Sequence, residues 1–114
     1  MKFITYIENH FQLKEIKKSL IREVILEHKL LCRTGNTDTK SIISLAKEAI
    51  SLEISPILQW DILSTENNFQ QSVKILNRLP LKNFHAIRVQ DLGAAEWIKQ
   101  VHPDIPIHLI VETG

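Results

Sequence analysis

IRVQDLGAAEWIKQVHPDIPIH, residues 87–108, carries the problem whose solution decides the fold. It reads as a strand, a helix and a second strand. Side chains alternate along a strand. Ile87 and Val89 therefore share one face, while Ala86, Arg88 and Gln90 share the other. Gly93 opens a helix whose apolar positions are Ala94, Ala95, Trp97, Ile98 and Val101. "HPDIP" (102–106) breaks it, and "IHLIVE" (107–112) is the next strand. The first strand thus has one apolar face, suited to packing on helices, and one mixed face that needs polar company. A central strand of an open doubly wound sheet is buried on both sides and should be apolar throughout.

The same alternation runs outward from this stretch. "KFITYIE" (2–8) is β-rich, "QLKEIKKSL" (12–20) reads as a short helix and "EVILEHKLL" (23–31) as a strand. "TGNTDTK" (34–40) has loop chemistry. A helix then starts near Asp38 or Thr39, either of which can cap it, with an apolar stripe of Ile42, Ile43, Ala46, Ala49 and Ile50. "SPILQWDIL" (55–63) is a strand. Ser64 or Thr65 caps a helix with Glu66 in its first turn and Phe69, Val73 and Leu76 on its apolar face; Pro80 lies beyond it. "FHAIRVQDL" (84–92) is the fourth strand. Five strands alternating with four helices over 1–114 predict one α/β domain with a parallel sheet. The expected architecture is parallel β/α repeats forming part of a (β/α)8 TIM-like barrel, which needs about 250 residues when whole. An open flavodoxin-like sheet is the competing arrangement.

In a barrel the mixed faces point inward, towards a site at the C-terminal mouth. Leu58, Trp60 and Ile62 oppose Ile57, Gln59 and Asp61; Ile107, Leu109 and Val111 oppose His108, Ile110 and Glu112. Arg88, Gln90, Gln59, Asp61, His108 and Glu112 are thereby candidates for one cavity. The second strand adds Glu27, with Lys29, on one face and His28 on the other, and Arg33 follows it. Asp61 and Glu112 suit general acid/base work, and Arg88 suits an anion or the orientation of a carboxylate. The structural alternative is an ion pair of Arg88 with Asp61 or Glu112.

Composition narrows the function classes. With 14 Lys+Arg against 13 Asp+Glu, no bulk affinity for nucleic acid or membrane is expected. No apolar run reaches the roughly 20 residues of a membrane span, and "MKFITYIENHF" makes a poor signal peptide. A single cysteine, Cys32, fits a reducing cytoplasm and cannot build an internal zinc or iron–sulfur site. The five histidines (10, 28, 85, 102 and 108) form no metal motif. His28 and Cys32, four apart on a strand, would be about 13 Å apart, so Cys32 reads as a small buried hydrophobe. "TGN" (34–36) reads as a βα turn before it reads as a phosphate loop. "KEIKK" (14–18) reads as a solvated helix face, and Trp60 and Trp97 as core.

"FHAIRVQDLGAAEWIKQVHPDIPIH" also resembles a segment of the collagenase-like peptidase family of unknown catalytic type, number thirty-two. The resemblance rests on Val89, Gln90, Asp91, Leu92 and Gly93, then on Pro103, Asp104, Ile105, Pro106, Ile107 and His108, with "LLCRTGNTDTKSIISLAKEA" (30–49) echoing an earlier strand, Arg, Gly-Asn loop and helix. It implies a (β/α)8-like barrel, a peptidase-type hydrolase or a role in hydroxylating RNA bases or ubiquinone precursors, and a peptide or RNA-related substrate. In some members cysteines in a later part of the chain bind an iron–sulfur cluster. This sequence stops after its fifth strand and lacks those cysteines, and "YIENHFQ" replaces the family's small-residue start. The expectation is an N-terminal segment of a longer barrel, inactive alone and without a cofactor of its own. A non-catalytic α/β module is the alternative, acting by self-association or by binding a partner such as the remainder of a barrel.

Overall fold

The computed structural model describes residues 3–62 and 66–110. The chain alternates β1 (Ile4–Tyr6), α1 (His10–Lys17), β2 (Glu23–Glu27), α2 (Thr39–Ser51), β3 (Ser55–Trp60), α3 (Glu66–Leu76), a 3-10 turn (Leu81–Asn83), β4 (Ala86–Val89), α4 (Leu92–Val101) and β5 (Ile107–Leu109). The strands form one parallel sheet in the order β1-β2-β3-β4-β5. Each crossover steps the same way, so the helices cover one face and the other is left to curve inward. This is a partial TIM-like α/β fold. A flavodoxin-like sheet reverses its strand order at a switch point; this sheet has no reversal.

The helix-covered face holds the main core. Val24, Leu26, Leu58, Trp60, Ile87 and Val89 project into it from the three central strands, and Ile42, Ala46, Leu76 and Ile98 meet them from the helices. On the opposite face Ile25, Ile57 and Ala86 lie in register across β2, β3 and β4 and form a small buried layer of their own.

Several sequence expectations shift. The strand expected over 23–31 ends at Glu27, because the chain turns there: Leu31 and Cys32 both donate backbone N–H groups to the His28 carbonyl. Lys29 is therefore not a strand residue, and Leu31 and Cys32 fold back into the core. His28 and Cys32 are turn neighbours rather than residues 13 Å apart on a strand. In α2 the buried stripe is Ile42, Leu45, Ala46 and Ala49, while Ile50 is exposed. Asp38 caps that helix, accepting the Ser41 N–H. Asp91, not Gly93, starts α4: its carboxylate accepts the N–H groups of Gly93 and Ala94. β1 and α1 are shorter or earlier than the sequence suggests, and the 3-10 turn before β4 was not expected. The candidate caps Ser64 and Thr65, and the strand residues 111 and 112, lie outside the described residues.

Candidate active-site cleft

Polarity on the inner face begins one step above the Ile25–Ile57–Ala86 layer. The next rung in register is Glu27, Gln59, Arg88 and His108. Asp61 and Gln90 continue the same alternation beyond the strand ends. Parallel strands thus bring their polar residues to one edge of the sheet, the edge where TIM-like folds place their chemistry.

Gln59 is the hub. It is buried, and its amide is fully engaged: the oxygen accepts the Tyr6 hydroxyl at 3.2 Å, and the nitrogen donates to Asp61 Oδ2 at 3.1 Å and Glu27 Oε2 at 3.4 Å. Asp61 Oδ1 accepts the Arg33 backbone N–H at 3.0 Å, and Thr34 donates its hydroxyl to Glu27 Oε2 at 3.2 Å. Arg33 Nη2 donates to Gln90 Oε1 at 3.3 Å. The β2–α2 loop is therefore tied to three strands by the residues that shape the cleft. Its seat depends on Gly35: an added Cβ would lie 2.7 Å from the His28 carbonyl oxygen and 2.9 Å from that of Glu27.

These groups surround a cleft of about 530 Å³. Six of the eight residues expected from sequence line it: Glu27, Arg33, Gln59, Asp61, Arg88 and Gln90. His108 shares Arg88's rung, but its side chain is exposed and does not line the cleft. Glu112 lies outside the described residues. Tyr6, Thr34 and Ile110 line the cleft without having been anticipated. Tyr6 stands in register with Ile25 and so shares the face of the inner layer.

The ion pair anticipated between Arg88 and Asp61 is not formed. Asp61 is held by an amide and a backbone N–H, and among the described residues Arg88 makes no hydrogen bond or ion pair. Burial raises the Glu27 carboxyl above its ordinary value; the Thr34 hydroxyl opposes this, and the charges of Asp61 and Glu8 add to it. Burial likewise pushes the Cys32 thiol up, with Asp61 and Glu27 reinforcing it. Its Sγ donates to the Gln59 carbonyl at 3.0 Å, so it is a protonated packing group, not a nucleophile. That thiol does not suit an iron–sulfur cluster, and among the described residues no three His, Cys, Asp or Glu side chains are grouped to hold a metal. No helix among them is long and apolar enough to cross a membrane.

A second polar constellation lies between α1 and α2. His10 Nδ1 bonds the Glu48 carboxylate, and its Nε2 faces Ser44 Oγ at 3.1 Å. The connectivity is that of a hydrolase triad, but Ser44 sits inside α2, where the backbone N–H groups are already spent on helical bonds. Nothing there can hold an oxyanion, and the cluster works as a clasp between the two helices.

The sequence matches the model of Peptidase family U32 over residues 25–114. The fold is similar to the solved structure of the U32 peptidase Mk0906, with a TM-score of 0.71 at 11% identity, covering 96% of this chain and 49% of that one. The chain therefore spans about half the length of that peptidase, and at this identity the likeness speaks to the fold. No curated protein matches. A family match over most of the chain, on a sheet of the same fold, makes this chain a member of peptidase family U32.

Proposed function

We propose that these residues form the substrate-binding half of a peptide-hydrolysing barrel, with turnover dependent on groups beyond those described. The observation that supports this reading is the convergence of Glu27, Gln59, Asp61 and Arg88 from three parallel strands on one cleft at their C-terminal ends. Asp61, fixed by the Gln59 amide and the Arg33 backbone N–H, is placed to accept a proton. Glu112 is the candidate to supply one, and Glu27 stands on the cleft wall as a binding group. Arg88 is the group available to an anionic part of the substrate. A single cysteine, held as a thiol, is the basis for assigning the protein to a reducing cytoplasm. The test is a ¹H–¹⁵N titration of the chain with peptides from digested gelatin. Shifts at Tyr6, Gln59, Arg88 and Gln90, lost in Arg88→Ala, are expected. Binding that Arg88→Ala leaves intact, or shifts confined to other surfaces, would end this reading.

A second reading, association through the sheet edges, is favoured by a different observation. Among the described residues β1 and β5 each have one strand neighbour, and Ile4, Tyr6 and Leu109 on them are exposed apolar residues. Unpaired edges recruit further strands, from a second copy or from the remainder of a barrel. Sedimentation velocity over a hundredfold concentration range tests the first of these: a constant monomeric coefficient excludes self-association.

A further inference from the structure

The cleft carries charges of both signs, Glu27 and Asp61 with Arg33 and Arg88, but the space beside it carries one sign only. A smaller cavity of about 150 Å³ adjoins it and shares Tyr6, Glu27 and Thr34 as a common wall. The smaller cavity is lined by Glu8, Glu27, Gln12, Asn36 and Thr37 and has no basic residue. The basic residues, Arg33 and Arg88, line the larger one alone, with the Arg33 guanidinium turned to Gln90 beyond β4. Among the described residues neither Glu8 nor Glu27 is paired with a cation, and Arg88 is paired with no anion. The Glu27 carboxyl feels Glu8 and Asp61 as uncompensated like charges. Glu27 and Arg88 are partly buried charges without charged partners, which is costly, and a ligand bearing the complementary charges would offset that cost at both ends.

Taking the cleft as the substrate site, we propose that it recognises a short peptide with both ends free, its ammonium seated between Glu8 and Glu27 and its carboxylate on Arg88. Strand spacing sets the length. Glu27 and Arg88 occupy the same rung two strands apart, about 10 Å at the sheet, and Glu8 follows β1, one strand further out. A tripeptide spans at most about 10 Å, so three or four residues reach from one charged end to the other. A single amino acid, with its charges about 3 Å apart, cannot. The geometry therefore selects against the interior of a long chain, whose backbone offers neither charge.

The experiment is calorimetric titration of the chain with triglycine, N-acetyl-triglycine, triglycine amide and glycine. Triglycine is expected to bind about tenfold or more tightly than either blocked form, the size of a charge-assisted contact, and glycine not to bind measurably. Arg88→Gln should abolish the preference for triglycine over its amide while keeping the preference over the acetylated form. Glu8→Gln, at an exposed position, should do the reverse. Equal affinity of the free and blocked peptides for the unmodified chain overturns the two-ended reading, and leaves the cleft as the substrate site if Arg88→Ala still weakens them all. Absence of binding by every peptide, in calorimetry and in the gelatin titration alike, removes both.

Discussion

Glu27 carries the clearest electrostatic consequence of a single residue in this protein. Burial raises its carboxyl above the ordinary 4.5, with Asp61 and Glu8 adding to the effect and Thr34 opposing it. As pH rises above 4.5 the unfolded chain loses this proton before the native chain does. The stability that Glu27 contributes is therefore complete below 4.5 and is lost as pH climbs through the raised native value. Glu27→Gln keeps an oxygen for the Thr34 hydroxyl and removes the charge. Urea unfolding of the two proteins between pH 4 and 8 should show the variant gaining on the wild type as pH rises. The gain should stay below about 1 kcal/mol, because the group is half-exposed and screened. Parallel curves, or a variant that loses ground with pH, would show that Glu27 is not held above its ordinary value. Gly35, packed against the Glu27 and His28 carbonyls, acts through space rather than charge. With backbone oxygens 2.7 and 2.9 Å from where a Cβ would stand, Gly35→Ala must lift the loop that presents Arg33 and Thr34. A cost of about 1–3 kcal/mol is expected, as for other overpacked sites. Loss of the backbone shift signature of the Arg33 N–H to Asp61 bond should accompany it.

The helices and strands themselves show where local sequence decides and where tertiary packing overrides it. Asp91 reads in sequence as the tail of a strand, yet it is the N-cap of α4, accepting two N–H groups at 2.6 and 3.2 Å. Asp91→Ala should cost about 1 kcal/mol, with Asp91→Asn retaining most of the stability; a neutral Asp91→Ala in chemical denaturation would refute the capping role. The order of elements, the parallel sheet and the two-faced strands were legible because period 2 and period 3.6 differ sharply in this chain. The inner-face candidates on β3 and β4 were legible for the same reason, since a strand's phase fixes which side each residue takes. The end of β2 was not. "EVILEHKLL" keeps a strand-like apolar run past Glu27, but the His28 carbonyl captures two N–H groups and turns the run inward. Ile50 was misread because the apolar face of α2 rotates to Leu45, a choice made by the sheet it packs on. Tyr6 and Thr34 were missed because β1 is three residues long and the β2–α2 loop has no periodicity to phase.

At the scale of the whole molecule the sheet is strongly held at its centre and weakly at its edges. β2, β3 and β4 are covered by helices on one face and share the Ile25–Ile57–Ala86 layer on the other. β1 and β5 are three residues each, exposed except for one half-buried position apiece. Stability in such a structure is not uniform, and amides open at free energies set by their local packing. Hydrogen exchange should therefore rank the amides of Ile57, Leu58 and Ile87 slowest, exchanging only on global unfolding. Those of β1 and β5 should exchange faster by two or more powers of ten, about 3 kcal/mol or more less protection. The ranking also separates the two readings of the edges. If protection at Thr5, Tyr6 and Leu109 rises with protein concentration while β3 stays constant, a second copy is covering them. If the edges stay weakly protected at every concentration and gain protection only when a peptide fills the cleft, ligand binding is what orders the open side of the sheet. Protection at β1 and β5 equal to that of β3 in dilute chain would contradict this account of where the fold's stability resides.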